Sequence, residues 1–105
     1  MTRVNERSAS VWSFSFLDPT GALATPTSVT YRIDCLTSGA AILALTGVAS
    51  PASSIDVPVS SDLNAIQNQG NAIERRRVTV NAVYNAGDEV HEQFDYEVVN
   101  LNFVP

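Results

Sequence analysis

Lysine is absent from this 105-residue chain: all six basic residues are arginine, against eleven acidic ones and a formal charge of −5. A net-negative domain lacks the positive footprint that phosphate contacts require, so nucleic acid is not an expected partner. The single cysteine, Cys35, excludes an intrachain disulfide framework and fits folding in a reducing cytosol. The single histidine, His91, has no second His or Cys at ligand spacing, so no metal site is expected. Nor can one histidine be built into a convincing Ser-His-Asp or Cys-His set, and there is no Gly-rich phosphate loop. No apolar run approaches the roughly 20 residues that span a bilayer. The opening MTRVNERSAS has no apolar signal-peptide core. The expectation is a soluble chain with no membrane partner, no secretory signal, no cofactor and no catalytic residue.

What is present is a hydrophobic share of 45%, ordinary for a globular protein, in a length suited to one domain. The apolar residues alternate. The central stretch ERRRVTVNAVYNAGDEVHEQFDYEVVNL, Glu74 to Leu101, reads as two long strands around a turn at Asn85-Ala86-Gly87-Asp88. Val78, Val80, Ala82 and Tyr84 share one face of the first strand; Phe94, Tyr96 and Val98 share one face of the second. After Val98 the phase changes to Val99, Leu101 and Phe103, which predicts a β-bulge or a handover to a neighbouring chain.

Upstream, Trp12, Phe14 and Phe16 alternate in a first strand that ends at a turn over Asp18-Pro19-Thr20-Gly21. Val29, Tyr31, Ile33 and Cys35 mark a second strand. Ala40 to Val48 is apolar on both faces; its length and its bounding Gly39 and Gly47 favour strand over helix. Ile55, Val57 and Val59 alternate in a strand that Pro58, lacking an N–H, assigns to a sheet edge. Ser61 to Gln67 suits a short helical turn. Residues 1–10 read as a polar arm and 11–105 as one domain. Six strand candidates with short turns predict an all-β antiparallel sandwich.

The polar residues carry two readings each. Arg75 and Arg77 share a strand face, with Arg76 on the other. They suit either a partner's carboxylates or cross-strand pairing with the acidic neighbouring strand. Asp88, Glu89, Glu92, Asp95 and Glu97 lack a calcium-loop pattern and read as solvated positions that also blunt a sheet edge. Cys35 lies in an apolar alternating set and reads as a core residue. The Trp12, Phe14 and Phe16 set reads as core, with a ligand platform as the competing possibility.

Two stretches, TSVTYRIDCLTSGAAI from Thr27 to Ile42 and the segment from Ile55 to Leu101, resemble small Ig-like virion proteins of tailed bacteriophages. More loosely they resemble fibronectin-type-III-like modules. No tyrosine stands near the start of the Arg75 strand, where a tyrosine corner belongs, and the cysteine pair of antibody-type domains is missing. The resemblance implies an Ig-like sandwich of about six to seven strands, made in a host cytoplasm and built into a virion. It also implies a non-enzymatic, adhesive role in capsid decoration, at the neck or on the tail. Its partners would be other virion proteins and copies of itself, with Arg3, Arg7, Arg75, Arg77 and Pro58 as contact candidates. The alternative is an Ig-like module that binds a ligand or glycan.

Overall fold

The alternating hairpin organises the molecule. The computed structural model describes residues 1–17, 20–84 and 88–103. It contains seven strands: β1 (Arg3–Asn5), β2 (Ser10–Ser15), β3 (Ser28–Cys35), β4 (Ala41–Gly47), β5 (Ser54–Val59), β6 (Ile73–Val83) and β7 (Glu89–Val99). The strands β6 and β7 pair in one unbroken antiparallel register from Ile73↔Val99 to Val83↔Glu89. The turn expected between them falls largely on residues 85–87, and the earlier turn falls partly on 18–19; those positions lie outside the described residues.

β3 pairs with the other edge of β6, and β4 with β3, giving the five-stranded order β1-β7-β6-β3-β4; β2 and β5 form a second, two-stranded sheet. With β3, β6 and β7 as the C, F and G strands and β2 and β5 as B and E, this is an Ig-like sandwich. Phe14, Ile55, Val57 and Val59 of the small sheet, with Phe16 just past the end of β2, pack on Val29, Ile33, Val78, Val80, Tyr96 and Val98 of the large one. Each fully buried aliphatic side chain contributes roughly 2 kcal/mol of transfer free energy. Cys35 is buried with them. Eleven-residue strands span roughly 35 Å, so β6 and β7 account for most of the 50 Å long axis.

The structure differs from the sequence reading in three places. No bulge interrupts β7: the strand ends at Val99, and a 3-10 helix covers Leu101–Phe103. The phase change arises because Asn100 turns inward, where its amide donates to the Gln69 and Asn71 carbonyls while Leu101 stays exposed. Second, the short helical turn expected at Ser61 to Gln67 is present only as consecutive i→i+3 hydrogen-bonded turns through Leu63, Asn64 and Ala65, without a regular helix. Third, the N-terminal arm contains β1, which runs parallel to β7 in the register Arg3↔Glu97, Val4↔Val98, Asn5↔Val99. A three-residue strand is too short to show a period, which hides it in the sequence.

Candidate functional site

The outer face of the large sheet, opposite the small sheet, carries the arginines in two rows. In one, register places Arg75, Glu97 and Arg3 side by side across β6, β7 and β1. Arg3 Nε donates to Glu97 Oε1 at 3.1 Å, while Arg75 Nη2 stands 4.0 Å from Glu97 Oε2. In the next row Asp34, Arg77 and Asp95 align across β3, β6 and β7. Arg77 grips Asp95 with both arms of its fork, at 2.7 and 2.9 Å. The hydrogen bonds from Arg77 hold the Asp95 carboxyl below its ordinary range, against partial burial. Arg32 makes a similar two-bond pair with Asp34.

The cross-strand pairing expected for the arginine run is therefore present for Arg75 and Arg77, but the two are not equivalent. Arg77 has committed the Nε–Nη2 edge of its guanidinium to Asp95. Arg75 is loosely engaged, about half exposed, and lines a shallow open depression of about 440 Å³ with Leu36, Thr37, Ile73 and Glu97. Arg3 completes the row. These two guanidiniums and the apolar Leu36 and Ile73 beside them form the candidate contact site. Arg7 and Pro58 are not part of it. Arg7 sits in the turn between β1 and β2 with a positive φ of 57°, and Pro58 lies exposed on β5 opposite Val11. As its missing N–H requires, β5 is an edge strand paired to β2 alone.

The third arginine behaves differently. Arg76 is buried, as is Glu74 two residues before it, and they meet at 2.9 Å. Arg76 also donates to the Leu63 and Ala65 carbonyls. Glu74 accepts from the Gln67 and Asn68 backbone N–H groups and from the Asn71 amide. Burial pushes the Glu74 carboxyl up, but these donors together outweigh it and hold the group below its ordinary range. The pair pins the β5–β6 loop, the task a tyrosine corner performs in other Ig-like domains. Tyr96 and Asn64 extend the network: the tyrosine hydroxyl donates to Asn64 Oδ1, and Asn64 Nδ2 donates to the Ser8 carbonyl and Ser10 Oγ. Burial pushes the Tyr96 phenol up.

Trp12 packs between Phe94 and Tyr96, with ring centroids at 4.8 and 4.9 Å, so the first aromatic strand belongs to the core. Its indole N–H is buried without an acceptor in good hydrogen-bond geometry, and its polarity acts on the adjacent Tyr96 hydroxyl. Tyr84 is half-buried and donates to the Ala24 carbonyl. His91 is exposed, 3.6 Å from Glu89. Among the described residues, no group of three or more His, Cys, Asp or Glu side chains could hold a metal ion, and no helix is long and apolar enough to cross a membrane. No protein-family model, curated protein or solved structure matches the chain.

Proposed function

We propose that this protein is a non-enzymatic structural component of a tailed-phage virion that acts through protein–protein contacts. The observation that carries the contact part of this reading is the amount of open strand edge. The β2-β5 sheet has no third strand among the described residues, and β1 covers only the last three residues of β7. Unpaired strand edges are templates for adding another chain. The loosely held Arg75 and the exposed Arg3, beside exposed Leu36, give a mixed polar and apolar patch suited to a partner's carboxylates. The virion part rests on the resemblance of Thr27–Ile42 and Ile55–Leu101 to small Ig-like phage proteins. A glycan-binding module would need exposed aromatics, whereas Trp12 is partly buried and packs on the core against Phe94 and Tyr96.

Sedimentation of the purified chain, alone and mixed with particle fractions, tests the reading. Stable incorporation into particles, with residues 1–10 protected from protease there, is the expected result. A chain that stays out of every particle fraction would overturn it.

A further inference from the structure

We infer that the open edge of β7, from Glu89 to Asp95, is a docking site for an extended, basic segment of a partner protein, which pairs there as an added strand. The inference rests on the protein-contact reading above and names its surface and partner chemistry.

The direction of the backbone groups follows from three hydrogen bonds. Tyr84 N–H donates to the Asp88 carbonyl on the β6 side. On the other side, Glu97 N–H donates to the Thr2 carbonyl and Glu6 N–H to the Val99 carbonyl. Even-numbered residues of β7 therefore turn their backbone groups to β6, and odd-numbered ones turn theirs outward. Outward donors and acceptors of Glu97 and Val99 serve β1. Those of Glu89, His91, Gln93 and Asp95 have no strand beside them among the described residues, along roughly 20 Å of regular edge.

The other edges suit this role less well. β4 carries two register shifts against β3, which distort its ladder. β5 contains Pro58 and β1 is three residues long. The free edge of β2 spans a six-residue strand without a charged side chain to select a partner.

Charge selects the occupant. Glu89 and Glu92 are exposed, and Glu92 makes no ion pair among the described residues, although it shares the inward parity of Val90 and Phe94. Pairing β7 with β7 of a second copy would bring these carboxylates together, which opposes association. A strand with Arg or Lys at alternate positions carries them all on one face, where they would meet Glu92; Glu89, of odd parity, lies on the opposite face. Arg3 beside Glu97 shows the same kind of cross-strand charge pair on the outer face of β7.

The test uses the full chain and a capped nine-residue peptide of alternating valine and arginine, with a valine–glutamate peptide as control. The basic peptide should bind in low salt and slow hydrogen exchange at the His91, Gln93 and Asp95 amides, and the acidic one should not. Gln93→Pro removes an outward N–H without touching the β6 ladder and should abolish binding. Glu92→Gln should weaken binding roughly two- to five-fold, the size of one cross-strand charge pair. Binding that is unchanged in both variants, or protection at β2 or β4 instead, overturns the assignment. So does concentration-dependent dimerisation of the chain alone that protects the same amides, which would give the edge to a second copy. Peptide binding and particle incorporation are read separately, so failure here is distinguishable from failure of the virion reading.

Discussion

Glu74 and Arg76, two residues apart on β6, project to the same side and meet at 2.9 Å with both side chains fully buried. Burying a charge pair is costly unless the remaining polar atoms are satisfied. Here the two groups together reach the Leu63 and Ala65 carbonyls and the Gln67 and Asn68 N–H groups. Only Arg76 Nε is left without an acceptor. Arg76→Met keeps the volume but leaves the carboxylate uncompensated. It should lower unfolding stability by about 3–5 kcal/mol, a large part of what a small domain has. Urea denaturation measures this; a loss below about 1 kcal/mol would mean that the pair does not secure the loop.

The carboxyl groups of Glu74 and Asp95 are both held below their ordinary ranges in the fold. Above the unfolded-state values both states are ionised and the full stabilisation is present. As pH falls through the folded values, the native carboxylates must take up protons and that contribution is lost. The urea midpoint should therefore be nearly flat from pH 7 to about pH 5 and fall below it. Glu74→Gln should flatten the acid limb. An acid limb identical to that of the unmodified chain would show that Glu74 does not contribute to it.

Much of this arrangement was legible in the alternation. Extending the set Val78, Val80 and Ala82 back by two-residue steps reaches Arg76 and then Glu74, so the core-facing charge pair lay within reach of the same pattern. Arg76 falls on the face opposite Arg75 and Arg77 in that pattern, but nothing in the alternation names Glu74 as its partner. Asn64 and Asn100 gave no such signal, because their burial depends on carbonyls brought together by the fold. The strand β1 was invisible for the same reason: what holds it is Glu97 and Val99 of β7, more than ninety residues away in sequence. Pro58, in contrast, announced its edge strand by chemistry alone.

Arg7 occupies the left-handed region with a φ of 57° and an exposed side chain. Its N–H donates to the Asn64 carbonyl, and Ser8 N–H closes a turn onto the Asn5 carbonyl. A residue with a Cβ is disfavoured there by roughly 1–2 kcal/mol, and glycine escapes that penalty at some cost in unfolded-chain entropy. Arg7→Gly should raise stability by up to about 1 kcal/mol, while Arg7→Val should lower it. If Arg7 also contacts a partner, Arg7→Gly will weaken particle association despite the more stable fold; unchanged association would remove it from the contact candidates.

Arg75 and Arg77 stand two residues apart on the same face, yet they should respond oppositely to neutralisation. The Arg77 fork is filled by Asp95, whereas Arg75 reaches Glu97 only at 4.0 Å and borders the open depression. A partner carboxylate can therefore engage Arg75 without breaking a good intramolecular pair, and the exposed Arg3, bonded to Glu97 through Nε, stands beside it. The double variant Arg3→Gln/Arg75→Gln should leave stability within about 1 kcal/mol of the original, as for exposed pairs generally. On the virion reading proposed above, it should weaken particle association by roughly tenfold or more, the equivalent of about 1.4 kcal/mol. Arg77→Gln should leave association nearly unchanged. Sedimentation of the variants with particle fractions, set beside their urea midpoints, separates the two effects. Equal losses of association in the Arg77 variant and the double variant would place the contact elsewhere on the sheet.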